Sequence, residues 1–385
     1  MIGVWADDLS GALDTGVVFG RHMPTQVWSQ LPVEKPLKNG AMVVNANTRH
    51  LTPSGVFERY RTIPASVLSA DRHYLKVDST LRGPVGASIT ALLNRLPQYR
   101  GALLCSAFPK NHRIIVKGRL LVDSQPAHHT ALADDPKNPL TTDNIADVLR
   151  ATTEWPLVTV PTTAFGDTDW SQTAIFIADA TCTTDLEQLA DILVAHPNLL
   201  PVGSAGWAAV LAARWKTTPP PDAEWGTFDG ILAVVGSRHP VSRRQVGQVR
   251  NQADWSISKG DGTVMARHHI FMTPEPNHDH PEQALEKLAE TAAQVLTKSN
   301  RRVLVVSTGG DTTLALTRHL NIETLLPLTE LEPGIVLSRS LGNRRPIYLI
   351  SKSGGFGSPH FFPNLAQTFI RMSNTASSDH PVQQR

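Results

Sequence analysis

A chain of 385 residues has room for two or at most three domains of roughly 100–200 residues each. Its 36 basic and 34 acidic side chains leave a formal net charge of +2, too even a balance for a dedicated nucleic-acid binder. With 41% apolar and 18% charged residues the chain can bury a real core, which excludes disorder as its main state.

From the N-terminus, short runs rich in Val, Ile and Leu alternate with glycine-bearing turns and amphipathic stretches. This is the βα rhythm of an open, largely parallel sheet covered by helices. Strands are predicted over 2–6, 41–46, 74–77, 102–106, 174–178 and 199–202, with helices after five of them. The helix predicted over 52–68 has Thr52 as its cap and Pro53 in its first turn. Another, over 184–195, carries Asp185 and Glu187 where they complement the helix dipole. Residues 107–160 break the rhythm and read as a sheet-edge or loop excursion.

At Thr217-Thr218-Pro219-Pro220-Pro221-Asp222 three consecutive prolines can continue neither a helix nor a central strand. The domain boundary is placed there, giving domains 1–221 and 222–385. Beyond it the rhythm resumes, with strands over 231–235, 303–306 and 347–350 and helices from Val241, over 281–298 and over 313–320. The polar tail from Ser373 is expected to fray. The predicted fold class is therefore α/β, two domains that are each a largely parallel sheet flanked by helices.

Cys105 and Cys182, far apart in apolar runs, read as ordinary buried thiols of a reducing compartment rather than a disulfide. No basic leader precedes the first strand, and no apolar run approaches the roughly 18 residues of a membrane span. A cytoplasmic protein without membrane or nucleic-acid partners is expected, its oligomeric state open, a homodimer included.

In open α/β sheets ligands bind beyond the carboxyl ends of strands. The first strand ends in Asp7-Asp8, the second in Asn45-Ala46-Asn47-Thr48-Arg49, and the third in Lys76-Val77-Asp78-Ser79-Thr80-Leu81-Arg82-Gly83. Any one Asp there could be only a helix N-cap, and any one cation only a solvated charge. Three successive strand ends of the same chemistry favour a pocket for a small, polyhydroxylated anion. In it Arg49, Lys76 or Arg82 would hold a carboxylate, and Asp and Asn side chains would meet hydroxyls.

The C-terminal part has three glycine-bearing turns after strands: Val235-Gly236-Ser237, Ser307-Thr308-Gly309-Gly310-Asp311-Thr312, and Lys352-Ser353-Gly354-Gly355-Phe356-Gly357. Such turns present several N–H groups to an anion, and a following helix adds its dipole, as phosphate sites do. Lys352 supplies a counter-charge, and the chain's small basic excess lies in this part. No P-loop, dinucleotide fingerprint, protein-kinase signature set or nucleophile elbow is present. His278-Asp279-His280, between Pro276 and Pro281, reads as a solvated loop. The adjacent His268 and His269 would face opposite sides of a strand, and the metal ligands remain unknown.

Taken with Ala107-Phe108-Pro109, these motifs resemble, in order and over nearly the whole chain, the four-carbon acid sugar kinases. The resemblance implies an N-terminal acid-sugar domain and a C-terminal ATP domain, with phosphate passed across the interdomain cleft and Mg²⁺ as the accompanying ion. The run from Lys76 to Gly83 is more similar to the D-threonate and D-erythronate kinases than to the 3-oxo-tetronate kinases. By this matching Asp7 or Asp8, Arg49 and the segment Asp78, Ser79, Thr80, Leu81 and Arg82 would contact the substrate, and the strand-end reading adds Lys76. One of Asp7, Asp8 and Asp78 accepts the proton of a terminal hydroxyl. Ser237, Gly309, Gly310, Lys352, Ser353, Gly354, Gly355 and Phe356 serve ATP. After Pro109 the family pattern has glycine, arginine and threonine where this chain has His112, Arg113 and Ile114. That departure leaves two other readings: a non-catalytic protein that binds nucleotide or acid sugar, or a kinase for another aldonate such as 3-oxo-tetronate.

Overall fold

The computed structural model describes residues 1–32, 39–133, 135, 138–221, 224–259, 266–273 and 281–370. Asp222 of the proline run, the His278-Asp279-His280 loop and the tail from Ser373 lie outside the described residues.

In chain order the first half runs β1 (Ile2–Ala6), α1 (Leu9–Gly20), β2 (Thr25–Trp28), β3 (Ala41–Asn45), α2 (Pro53–Arg61), β4 (Arg72–Lys76), α3 (Val85–Arg95) and β5 (Gly101–Cys105). The excursion follows as β6 (Arg113–Val116), β7 (Arg119–Val122), β8 (Gln125–Pro126) and α4 (Ile145–Arg150). Then come β9 (Leu157–Val160), β10 (Ile175–Ala178), α5 (Thr183–Ala195), β11 (Leu199–Gly203) and α6 (Ala205–Arg214). The second half runs β12 (Gly230–Val235), α7 (Pro240–Gly247), β13 (Trp255–Ser258), β14 (His268–Met272), α8 (Pro281–Lys298), β15 (Val303–Thr308) and α9 (Gly310–His319). It closes with β16 (Thr324–Glu332), β17 (Ile335–Leu341), β18 (Tyr348–Lys352) and α10 (Phe361–Phe369).

The central strands β1, β3, β5 and β12 are buried along their whole length, as parallel strands covered on both faces must be. Side chains alternate across the second-half sheet: Leu304 and Val306 enter one core with Phe228, Phe361 and Phe362, whereas Val305 faces the other with Leu288 and Leu316. Thr52 caps α2 and Pro53 opens it, as expected, but the helix stops at Arg61. Pro64 disfavours helical backbone at the residue before it and so ends the run early.

Fifteen strands form one continuous sheet, in the order β13-β14-β12-β15-β18-β17-β16-β2-β3-β1-β4-β11-β5-β10-β9. All neighbours are parallel except around the β16–β17 hairpin, whose outer strand lies antiparallel to β2 through Thr324 opposite Trp28 and Leu325 opposite Val27. The two predicted sheets thus meet edge to edge. Each doubly wound half has a switch in strand order, β1 lying between β3 and β4 and β12 between β14 and β15. Ligand crevices form at such switches.

The excursion holds a separate antiparallel sheet of β6, β7 and β8, and β9 closes the outer edge of the main sheet. Cys105 is buried as expected, but Cys182 is exposed at the cap of α5, where Asp185 accepts its backbone N–H at 3.2 Å. His268 and His269 do fall on opposite faces of β14, one against Trp255 and the other between Ser256 and Ser258.

His112, at the position where the family pattern has glycine, has φ 55° and ψ 33°. The left-handed conformation is therefore kept with a side chain that it disfavours by about 1–2 kcal/mol. Replacing His112 by Gly relieves that strain and adds unfolded-state entropy. The expected result is a net gain of about 0.5–1 kcal/mol, read as a higher urea midpoint at an unchanged slope.

Candidate active site

The ends of β3, β1 and β4 are adjacent, so their loops converge. Backbone bonds stitch them together: Asp7 N–H donates to Lys76 O at 3.2 Å, and Thr48 and Arg49 N–H both donate to Asp7 O, at 2.9 and 3.2 Å. Arg49 then spans the acids. Its Nε donates to Asp7 Oδ2 at 2.8 Å, its Nη1 to Asp8 Oδ2 at 2.7 Å, and its Nη2 lies 3.8 Å from Asp78 Oδ1.

Asp8 is a helix N-cap after all, its Oδ1 accepting Gly11 N–H at 2.7 Å, yet its second oxygen belongs to the cluster. Burial pushes the Asp8 carboxyl above its ordinary range, with Asp7 adding to the effect and Arg49 and Lys76 opposing it. Asp78 goes the other way. Burial alone would raise it, but Arg82 and Arg49 outweigh burial and hold it well below its ordinary value. Arg82 grips both its oxygens, Nε to Oδ2 at 2.9 Å and Nη2 to Oδ1 at 3.0 Å, and the Thr80 hydroxyl donates to Oδ2 as well.

Lys76 is buried, and a Cβ placed on Gly11 would lie 2.8 Å from its Nζ, 2.7 Å from Asp8 Oδ1 and 3.6 Å from Asp7 Oδ1. Its amine therefore stands beside both acids. Ser79 lies partly exposed in the same loop. The Leu81 side chain is only 2% exposed and packs in the core, so its backbone is the part of the residue that the loop presents. Its backbone, at φ 59°, turns the loop so that Arg82 comes back over Asp78.

The three glycine turns follow the neighbouring parallel strands β12, β15 and β18 and also converge. A Cβ on Gly354 would lie 2.2 Å from Ser237 Oγ, one on Gly355 3.1 Å from His239 Nε2, and Gly309 N–H donates to Lys352 O at 2.8 Å. Gly309, at φ 100°, makes the sharp entry into α9 that only glycine accepts readily. Helix α9 begins at Gly310, three residues before the predicted start, so the turn and the helix N-terminus are one feature.

Lys352 stands differently from its expected role as a phosphate counter-charge. It is fully buried, and its ammonium donates to Ser353 O, Gly354 O and Phe356 O at 3.0–3.2 Å and to Ser242 Oγ at 3.1 Å. Burial lowers it to about 8, against the attraction of Glu332. It pulls the loop's carbonyls inward, so the loop's other side is left to meet a ligand.

The two clusters meet at one point. A Cβ on Gly310 would lie 2.6 Å from Asp8 Oδ2, which puts the raised carboxyl against the N-terminus of α9. His50 and Asp311 approach to 3.7 Å across the same seam, and Arg113 stacks on Phe356, its guanidinium carbon 5.7 Å from the ring centroid.

Asp14, one helical turn past Ser10 on α1, went unnoticed in the sequence. It lines a cavity of about 410 Å³ with Arg21, Phe108, Lys110 and Glu330. The signal was its spacing from Ser10 and Gly11, which sets all three on one side of the helix.

Residues 2–211 match the family described as a sugar-binding N-terminal domain, and residues 270–362 that described as a nucleotide-binding C-terminal domain. The molecule is thus a sugar-binding unit joined to a nucleotide-binding one. The D-threonate kinase of Bordetella bronchiseptica is 27% identical over 401 residues, covering 95% of this chain and 96% of that protein. The D-erythronate kinase of Heliobacterium modesticaldum is 31% identical over 265 residues, 64% of this chain and 59% of that one. A Salmonella typhimurium LT2 structure, provisionally described as a tRNA synthase, shares the fold at TM-score 0.79 and 20% identity, over 96% of this chain and 99% of that one. The chain belongs to the four-carbon acid sugar kinase family, and it is a sugar-acid kinase that uses ATP on a small-molecule substrate. No helix among the described residues is long and apolar enough to cross a membrane.

Burial, opposed by Lys76 and reinforced by Glu330, raises Asp14 to about 6 from 3.8. The folded state binds that proton more readily than the unfolded chain. The ionised carboxyl therefore destabilises the fold fully above about pH 6, and the cost fades as pH falls toward 4. Asp14→Asn is expected to raise stability at pH 7.5 by on the order of 1–2 kcal/mol, the group being partly exposed, and by nothing measurable near pH 4. Melting temperatures at the two pH values check this.

Proposed function

We propose that the chain transfers the γ-phosphoryl group of ATP to the terminal 4-hydroxyl of D-threonate or D-erythronate. The observation that carries this reading is the contact of Asp8 with Gly310, which brings a carboxyl of raised proton affinity to the helix N-terminus beside the glycine turns. Arg82, the most open cation of the cluster at 31% side-chain exposure, would receive the substrate carboxylate together with Lys76. Asp78, kept ionised by its arginines, holds Arg82 in place and is the least suited of the three acids to take a proton.

The substrate hydroxyl oxygen forms the new bond to the γ-phosphorus. The bond from that phosphorus to the β–γ bridging oxygen breaks, its electron pair leaving with ADP, and the hydroxyl proton passes to Asp8. Such a transfer needs positioning and charge neutralisation more than covalent chemistry. The turns that hold Ser237, Gly309 and Gly310 and Ser353 to Phe356 would line the phosphates, the Gly309 and Phe356 N–H groups being engaged within the loops, so that Gly310, Gly354 and Gly355 would be the donors. Mg²⁺ in such sites is shared between one or two carboxylates and phosphate oxygens. Asp7 Oδ1, buried without a hydrogen-bond partner, is the oxygen that would hold Mg²⁺, which supplies charge neutralisation.

With ATP, Mg²⁺ and a panel of D-threonate, D-erythronate, their L-isomers and 3-oxo-tetronate, a coupled ADP-release assay should give its highest kcat/KM with one of the first two. A higher value with 3-oxo-tetronate would reject the substrate assignment. Asp8→Asn is expected to lower kcat by about 10²–10⁴-fold, with ADP affinity within twofold of the parent.

A further inference from the structure

Arg113 leaves the tight turn that opens β6 and sits between the two ligand loops. Its backbone is pinned by paired bonds with Phe108, at 2.8 and 3.2 Å, and its Nη1 donates to Asn111 O at 2.8 Å. Burial lowers its proton affinity, with the Asp78 and Asp123 carboxylates opposing burial and Arg82 adding to it. The Arg113 guanidinium carbon lies 5.7 Å from the centroid of the Phe356 ring. Phe356 is itself fixed, its carbonyl accepting from Lys352 Nζ at 3.0 Å and from Gln245 Nε2 at 3.1 Å, and its ring closed against Gly334.

One feature of this arrangement is unsatisfied. Arg113 Nε is buried and has no hydrogen-bond partner. A buried guanidinium N–H without an acceptor is costly, and a planar fork with spare donors is the group best matched to a phosphate. Asp78 lies in the loop after β4 and Phe356 in the loop after β18, so Arg113 is coupled to both loops, to one by charge and to the other by ring contact.

We propose that Arg113 binds the phosphoryl group in transit, neutralising its equatorial oxygens as it passes from ATP to the acid sugar, and that Phe356 orients the guanidinium plane for this task. The inference rests on the kinase reading and adds to it a transition-state contact that comes from the excursion of the first domain. Groups of this kind typically contribute about 10²–10⁵-fold to phosphoryl transfer.

Two measurements on the full chain test it. The first uses ADP with aluminium fluoride and Mg²⁺, a mimic of the phosphoryl in flight that needs no knowledge of the sugar. The parent protein should bind this mixture at least tenfold more tightly than ADP alone, and Arg113→Ala should lose that difference while its ADP affinity stays within twofold. The second is turnover with the acid sugar that the parent accepts. Arg113→Ala should lose at least 100-fold in kcat with its sugar KM within threefold, and millimolar free guanidinium should restore part of the loss. The same additive should do nothing for Asp8→Asn. Arg113→Lys, which keeps the charge and the fold but not the plane, should lose at least tenfold in kcat, and Phe356→Leu less than either.

The proposal is overturned if Arg113→Ala keeps the aluminium fluoride preference, if its loss lies wholly in sugar KM, or if Arg113→Lys is as active as the parent. A parent protein that shows the preference but phosphorylates no four-carbon acid sugar would refute the substrate reading and leave Arg113 supported.

Discussion

Everything at the acid-sugar end depends on one buried guanidinium. Two consecutive aspartates at the end of a central strand, with a third at the end of its neighbour, would repel one another and draw water into the sheet. Arg49 lies within 3.8 Å of all three, and its own backbone hangs from the carbonyl of Asp7. Buried charges of this kind add little net stability, because desolvation offsets their attraction. What they do here is set different proton affinities on neighbouring carboxyls. Asp78, gripped by Arg82 and approached by Arg49, is held well below its ordinary range, whereas burial and Asp7 raise Asp8 against the pull of Arg49 and Lys76. One cation distributed over three acids thus goes with opposite shifts on two of them.

The second constraint is the edge-to-edge sheet. A hinge of coil would leave the approach of the two halves to chance, whereas the pairing of β16 with β2 locks strand register across the junction. Helix α1 then packs against both halves, meeting α6 on one side and α9 and β16 on the other. Its cap is Asp8, and the cap of α9 is the glycine turn, so the two helix N-termini face each other across the site. Positive helix ends favour an anion between them, and the carboxylate of Asp8 stands there, against Gly310.

Much of this was open to a reader of the sequence, and what was hidden shares a cause. The strand ends of β1, β3 and β4 could be read because buried parallel strands are continuous apolar runs, and the polar residues after them stand out. The junction could not. β2 has four residues, and β16 carries Pro327, Glu330 and Glu332, a composition that argues against a strand until its partner is known. The glycine turns were plain, but the depth of Lys352 was not, since a lysine beside glycines reads as a phosphate ligand unless its burial is seen. His112 shows the reverse case. A side chain stands where the turn wants none, and the turn keeps its shape, because a rigid hairpin can hold one residue at positive φ at a cost the fold tolerates.

The two ligand loops solve the problem of binding anions in opposite ways. In the loops after β1, β3 and β4 the cations are paired with carboxylates, Lys76 buried and Arg49 nearly so, with Arg82 the more open at 31% side-chain exposure. In the glycine-rich loop after β18 the cation is hidden. Lys352 binds the backs of three peptide groups, and since each peptide carries its N–H opposite its C=O, carbonyls drawn inward turn amides outward. A lysine that touched phosphate directly would exchange that fixed array for one mobile charge. Its low proton affinity, about 8, is the cost of the position, and it ties the order of the loop to a protonated lysine.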